Sequence, residues 1–229
     1  MLDQFKNKTP FSKHLTSLIK YADFGISDVK SVPANIPSDI WHQFKEQMKT
    51  QIGADEGKLE EAFNIKNATQ LQFTHTGEDS SSAGFGLDNE SRGTVAALSF
   101  FSLALRQLSR PTVTLIDEID TSLHPALVAE LVALYTDPAT NPHGSQLIFT
   151  THDVSLINHS GSSNRLLQPD QIWLVEKDKD GASELFPVTE LGIRKEENIG
   201  KNYLNGVYGA TPNPSFHTVF AQIMNGDDD

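Results

Sequence analysis

The stretch that decides the fold reads Val113-Thr-Leu-Ile-Asp-Glu-Ile-Asp120, a short apolar run that ends in two adjacent carboxylates. Such a run is typical of a strand buried in a sheet. In open α/β sheets, ligand sites lie at the carboxyl ends of strands, where Asp117 and Glu118 fall. Asp117 is suited to hold Mg²⁺, which prefers oxygen ligands, and Glu118 to deprotonate an attacking water. Taken alone, the pair is equally typical of a solvated strand end.

A second strand end carries a histidine and strengthens this interpretation. Residues 146–150 form another short apolar run, and Thr151-His-Asp153 follows directly. A histidine at the end of a neighbouring strand reaches the same crevice as Asp117 and Glu118, and it is suited to contact a terminal phosphate or the lytic water. Asp120 lies between the two strand ends in sequence. The alternative is that His152 is an ordinary loop residue.

The elements around these strands alternate between helix and strand. Residues 94–108 are apolar almost all round, as in a helix buried between layers, and Pro125 is suited to the first turn of a helix that continues to about Tyr135. Helices that alternate with short apolar strands predict parallel strands joined by crossovers. The sequence therefore predicts an α/β fold with a mainly parallel sheet flanked by helices.

The regions on either side of these elements have different predicted secondary structure. Apolar residues at helical spacing predict a helix over residues 11–21, and Pro37-Ser38 opens a second candidate helix through Trp41, Phe44 and Met48. Residues 71–76 alternate as a strand does, a serine-rich turn follows, and residues 172–188 predict a C-terminal hairpin. We therefore expect a helical region over residues 1–70 and a second lobe over residues 71–229.

A short polar segment, Glu90-Ser-Arg-Gly-Thr94, precedes the long apolar helix. The free N–H groups and the positive dipole at a helix N-terminus favour an anion next to Ser91 and Gly93. The alternative is that Ser91 is simply the N-cap of the helix.

Together these motifs resemble the ABC/SMC-like ATPases, a P-loop NTPase superfamily. It includes transporter motors, chromosome-maintenance ATPases, overcoming-lysogenization-defect proteins and prokaryotic "AAA family" abortive-infection ATPases. The resemblance implies that Asp117 is the Walker B aspartate that holds Mg²⁺ and that Glu118 is the catalytic glutamate. It likewise makes Asp120 the D-loop aspartate and His152 the switch histidine. The similarity is continuous over residues 90–153.

The segment from Glu90 to Thr94 is similar to the signature motif of the prokaryotic subgroup. The resemblance implies that four of its residues contact the γ-phosphate of ATP bound to a second subunit: Glu90, Ser91, Gly93 and Thr94. Similarity to the subgroup extends through residues 203–212, whose role the sequence leaves open.

One part of the family pattern is missing from the sequence. A phosphate-binding Walker A loop needs Gly-x-x-x-x-Gly-Lys followed by Ser or Thr. Gly53 to Lys58 is one residue short and is followed by leucine, and Gly200-Lys201 lacks the first glycine. We therefore expect that the chain is the C-terminal half of such an ATPase and that another lobe carries the loop. A split gene, a fragment and a degenerate protein all fit this expectation.

Composition limits the kinds of metal site, the cellular location and the partners that the chain can have. The 229 residues include no cysteine, so disulfides and thiolate metal sites are excluded. Neither a secretory signal nor a membrane span is predicted, and we expect a cytoplasmic protein. The net charge of −12 disfavours nucleic acid over most of the surface and leaves only a local patch or a partner to contact it.

The sequence thus predicts Mg²⁺-dependent ATP hydrolysis at a composite site in a homodimer or higher oligomer. The resemblance implies anti-phage defence coupled to an effector such as a nuclease. Two alternatives stay open. The first is a non-hydrolysing regulatory or partner-binding module, and the second is a carboxylate-metal nuclease that uses Asp117, Glu118, Asp120 and Asp153.

Overall fold

The computed structural model describes residues 1–34, 42–43, 46–47, 50, 68–76, 82–158, 165–194, 197–212 and 214–225. Its helices are α1 (Leu2–Lys6), α2 (Pro10–Tyr21), α3 (Arg92–Gln107), α4 (Pro125–Thr136), α5 (Ile199–Leu204) and α6 (Phe216–Asn225). Its strands are β1 (Ile26–Pro33), β2 (Thr69–Thr76), β3 (Ser82–Gly86), β4 (Val113–Ile116), β5 (Gln146–Phe149), β6 (Trp173–Lys177) and β7 (Ser183–Pro187).

These strands form three separate sheets. The strands β1, β2 and β3 make an antiparallel sheet, β4 pairs with β5 in parallel, and β6 and β7 form an antiparallel hairpin. The α/β class and the C-terminal hairpin agree with the prediction. The expected mainly parallel sheet does not, because within the described ranges only β4 and β5 run parallel. Helix α4 makes a crossover between β4 and β5, and such a crossover produces a parallel pair. The strands of the other two sheets pair antiparallel.

The N-terminal region is not helical throughout. The predicted helix over residues 11–21 is α2, capped by the Thr9 hydroxyl, which accepts the N–H of Ser12. Strand β1 follows, however, and pairs with β2 across the expected boundary at residue 70. A register shift between Ile26 and Asp28 breaks the alternation of apolar residues that identifies a strand. Of the second candidate helix, Pro37, Trp41, Phe44 and Met48 lie outside the described residues, as do residues 51–67, whereas the described residues 42–43, 46–47 and 50 are helical.

The main core joins the N-terminal sheet to the central elements. Helix α3 buries positions three and four residues apart, and its neighbours include Leu15 and Ile19 of α2, Phe73 of β2, and Val128 of α4. Such a stripe on a helix is what a 3.6-residue period produces. Pro125 occupies the first turn of α4, as predicted. The core thus ties β2, α3 and α4 together and holds the ends of β4 and β5 in place.

A smaller core lies beneath the C-terminal hairpin. It contains Ile172, Leu174, Val188, Ile199 and Tyr208. Residues 203–212 close on themselves in a turn. The hydroxyl of Thr211 donates to the carbonyl of Tyr203, and the hydroxyl of Tyr203 donates to the carbonyl of Ala210. The segment whose role the sequence left open is therefore a packed turn. No described helix is long and apolar enough to cross a membrane.

Candidate functional site

The two strand ends singled out in the sequence lie side by side. In the parallel ladder Ile116 faces Phe149, so Asp117 and Glu118 leave the sheet next to residues 150–152. Backbone bonds continue the ladder beyond both strands: the N–H of Thr150 donates to Ile116 over 3.1 Å, and the N–H of Ile119 donates to Thr150 over 3.0 Å. Because parallel strands end at the same edge, both carboxylates and His152 share this edge.

Thr150 connects the two carboxylate positions. Its hydroxyl donates to the Oδ1 atom of Asp117 and accepts the backbone N–H of Glu118 over 2.8 Å. One hydroxyl therefore orients the Asp117 carboxylate and fixes the backbone of the next residue. Thr150 was not among the predicted site residues. The available signal was a hydroxyl residue at the end of a strand whose parallel neighbour ends in acids.

Glu118 has an unusual backbone conformation. Its φ angle is +51°, in the left-handed region that residues with a side chain rarely adopt. The bond from its N–H to Thr150 stabilises this conformation, and the hydroxyl of Thr121 donates to its Oε2 atom over 3.2 Å. The side chain is exposed. Strained residues of this kind cluster at functional sites, where the surrounding structure offsets a cost of about 1–3 kcal/mol.

Asp120 binds the segment that carries the histidine. Its Oδ1 atom accepts the hydroxyl of Thr151 over 2.7 Å and the backbone N–H of His152 over 3.4 Å. Partial burial by itself raises the pKa of Asp120, but these hydrogen bonds and the charge of His152 outweigh it and leave the pKa below its ordinary value. Ile119 and Leu123 are buried on either side and anchor the loop in the main core.

The histidine loop is ordered by its own side chains. The N–H of Asp153 donates to the hydroxyl of Thr151 over 2.9 Å, and Oδ1 of Asp153 accepts the N–H of Ser155 at the same distance. The other carboxylate oxygen of Asp153 is buried and has no partner among the described residues. The His152 side chain itself is exposed. The loop therefore presents the imidazole to solvent at the edge that carries the two carboxylates.

Glu90 lies differently from the other predicted signature residues. Its side chain is 4% exposed, and its carboxylate lies 2.9 Å from the Nε2 atom of His75 on β2. His75 in turn packs edge-on against the ring of Phe85. A buried carboxylate directed at a histidine is poorly placed to contact a phosphate on another subunit. The placement instead makes Glu90 a tie between β2 and the start of α3.

Ser91 is the N-cap of α3, as the simpler interpretation of the sequence had it. Its hydroxyl accepts the N–H of Thr94 over 3.0 Å and lies 2.9 Å from the Thr94 hydroxyl, which is buried. Capping and anion binding use the same end of a helix, so the cap leaves other N–H groups of the first turn free to face a ligand.

Gly93 lies where the predicted signature segment approaches the loop that follows Glu118. A β-carbon at this position would lie 2.9 Å from the backbone oxygen of Ser122, closer than real contacts allow. Ser122 itself has a φ of +66°. The missing side chain thus permits close approach between the start of α3 and the loop that follows Glu118. The predicted signature and Walker B residues therefore belong to one connected region.

The donor set at the strand ends suits Mg²⁺ shared with a substrate. Asp117 offers a carboxylate at an exposed edge, and Mg²⁺ binds through one or two carboxylates together with substrate phosphates. A nuclease built on several carboxylates would need them gathered. In the described ranges no three His, Asp or Glu side chains are grouped to hold a metal ion. Instead, Oδ1 of Asp120 is hydrogen-bonded to Thr151 and Oδ1 of Asp153 to Ser155, and Oδ2 of Asp153 is buried.

The parallel strand pair thus carries two acids and a histidine at its shared carboxyl edge. The family model described as "AAA domain, putative AbiEii toxin, Type IV TA system" matches residues 3–158, more than half of the chain. The chain belongs to this family of AAA domains. The predicted family resemblance and the P-loop NTPase-like fold class are thereby confirmed, and the family points to nucleotide binding and hydrolysis.

The solved structures that are similar to this chain include one whose match covers most of it. It is described as "Crystal structure of the SmcHead bound to the C-winged helix domain of ScpA" and has a TM-score of 0.46 and 16% sequence identity. The similarity covers 83% of this chain and 46% of that chain, so this chain spans about half the length of the solved one. No curated protein matches this sequence.

Proposed function

We propose that this chain forms part of a Mg²⁺-dependent ATPase and carries its Walker B strand, D-loop, switch histidine and signature segment. The observation that carries the proposal is the hydroxyl bridge of Thr150, which holds Asp117 and the backbone of Glu118 at the shared edge of β4 and β5. The lobe comprises residues 71–229 together with β1, because β1 is hydrogen-bonded to β2.

Each residue at the edge has a role that follows from its placement. The Asp117 carboxylate, oriented by Thr150, holds the metal ion, and bound Mg²⁺ supplies positive charge that stabilises the phosphates of ATP. Glu118 is exposed at the same edge and accepts a proton from the attacking water. His152, whose loop is held by Asp120, contacts the terminal phosphate or that water.

The composite site requires a second subunit and a Walker A loop. We propose that the first turn of α3, with Ser91 and Gly93, faces the γ-phosphate of ATP on a partner copy, so that ATP joins two copies. The buried Thr94 supports Ser91 from within. Glu90 supports this segment from within through His75. The phosphates are held by a Walker A loop in another lobe, since the 229 residues contain no Gly-x-x-x-x-Gly-Lys-Ser/Thr segment.

The biological setting is proposed from the family. The matched model names a toxin of a toxin–antitoxin system, which supports a role in prokaryotic anti-phage defence. We propose that ATP-dependent dimerisation in the cytoplasm controls an effector such as a nuclease carried by a partner.

The decisive experiment compares Glu118→Gln with wild type, each reconstituted with a Walker A-containing lobe. We expect hydrolysis to fall by about 10²–10⁴-fold, the contribution of a general base, while ATP binding is retained. Glu130→Gln is the matched control, because Glu130 is exposed on α4 and the charge change is the same. Undiminished turnover by Glu118→Gln would sink the assignment. Absence of hydrolysis by wild type with every such lobe would instead identify a non-hydrolysing partner-binding module.

A further inference from the structure

A cavity on the N-terminal side of the molecule collects lysines from three elements. It has a volume of about 640 Å³ and lies between α1, α2 and β1. Its walls include Lys6 from α1, Lys8 from the following turn, Lys13 from α2 and Lys30 from β1. We call it the lysine cavity. None of the residues at the carboxyl ends of β4 and β5 lines it, so it is separate from the proposed ATPase site.

The concentration of positive charge contrasts with the rest of the chain. The net charge of the protein is −12, yet five of its 18 basic residues and only three of its 30 acidic residues fall in the first 33 positions. Four of those five lysines line the lysine cavity. Clefts lined by one sign of charge focus the field and raise the local concentration of an oppositely charged ligand. The cavity is therefore the local patch through which this acidic protein can attract an anion.

The four ammonium groups are not neutralised by neighbours. Within the described ranges none of the four lysines takes part in an ion pair or a side-chain hydrogen bond, and all four are exposed. Among the described residues that line the cavity, Asp28 is the one acidic residue. Like charges that converge on one concave surface repel each other, and a bound anion relieves that repulsion.

The remaining wall residues indicate what kind of anion fits. Ser12, Thr16, Ser31 and Thr69 also line the cavity. The hydroxyls of Ser12 and Thr16 donate to the carbonyls of Thr9 and Val29, and the buried Ser31 hydroxyl has no hydrogen-bond partner among the described residues. Phe5, the one aromatic side chain among the described lining residues, is only 6% exposed and offers no face on which a base can stack. The volume is in the range of pockets that enclose small molecules.

We propose that the lysine cavity binds a compact polyphosphate anion, recognised by its charge and size through Lys6, Lys8, Lys13 and Lys30. Lysine acts as a point charge toward phosphate, and several lysines on separate elements can contact successive phosphate groups. Among the described lining residues no aromatic face is exposed for a base to stack on, so charge on the phosphates is what the lysines recognise.

The test is a calorimetric titration of the 229-residue chain with inorganic tripolyphosphate, without Mg²⁺ and at low ionic strength. We expect saturable binding by wild type that weakens as salt is added. Lys13→Gln combined with Lys30→Gln should weaken binding at least tenfold. Asp28→Asn, which removes the opposing charge, should strengthen it. Lys179→Gln is the matched control, because Lys179 lies in the β6–β7 turn outside the cavity, and it should leave the affinity within twofold.

The result is independent of the ATPase proposal, since no hydrolysis is measured. Failure of wild type to bind tripolyphosphate at millimolar concentration would overturn the inference. So would an equal loss of affinity in Lys179→Gln, which would mark binding as a general effect of net charge. If an oligonucleotide binds at the same lysines far more tightly than tripolyphosphate does, the cavity is a nucleic-acid surface and the inference is also overturned. Far-ultraviolet circular dichroism checks that each variant is folded.

Discussion

Replacement of Thr150 by valine tests the central contact of the site. Valine has the shape of threonine but no hydroxyl, so the variant loses the bond to the Asp117 carboxylate and leaves the N–H of Glu118 without its partner. A neutral hydrogen bond contributes about 1 kcal/mol net, and one to a charged group about 1.5–3 kcal/mol. Because Thr150 is exposed, water replaces part of the hydrogen bonding that the variant loses. We expect a loss of about 2 kcal/mol in the free energy of unfolding.

The assay is equilibrium unfolding in urea, with Thr150→Ser as the matched control that keeps the hydroxyl. A loss of about 2 kcal/mol lowers the melting temperature of a chain of this size by roughly 4–8 °C. Thr150→Ser should stay within about 0.5 kcal/mol of wild type, the usual range for a surface substitution. If Thr150→Val and Thr150→Ser are equally stable, the hydroxyl bridge does not hold the two strand ends together, and the reasoning about Asp117 and Glu118 is wrong.

Two further predictions follow from contacts around the site. Gly93→Ala should destabilise the protein by about 1–3 kcal/mol, the cost of overpacking, because the new β-carbon meets the backbone of Ser122. In contrast, Ser99→Ala, on the exposed side of the same helix, should be neutral within about 0.5 kcal/mol. If Gly93→Ala and Ser99→Ala have equal melting temperatures, the close approach of Gly93 to Ser122 is refuted. The pKa of Asp120 is lowered in the folded protein, so the folded protein binds a proton at Asp120 less tightly than the unfolded chain does. The contribution of Asp120 to the free energy of unfolding is therefore complete above the ordinary pKa of 3.8 and is lost as the pH falls through the lowered pKa. Asp120→Asn should therefore reduce the loss of stability between pH 5 and pH 3 measured by urea midpoints, and an unchanged pH dependence would contradict the assignment.

The sequence by itself determined the elements that carry the candidate site. Strand β4 begins and ends where its apolar run does, at Val113 and Ile116, and α4 begins at Pro125. The sequence pattern also predicted that Asp117, Glu118 and His152 lie at strand ends. These features depend on local chemistry: an apolar run, a proline at a helix start and the fixed direction of parallel strands are all visible within a few residues.

Tertiary structure alone decided which side chains meet. Thr150 contacts Asp117 across 33 positions of sequence, and Glu90 is paired with His75 of another strand rather than exposed for a ligand. Strand β1 is identified only by its pairing with β2, because a bulge interrupts its apolar pattern. The lysine cavity likewise needs α1, α2 and β1 to pack together before its four charges converge. A sequence pattern reports periodicity along one element, whereas each of these contacts depends on how separate elements pack against a common core.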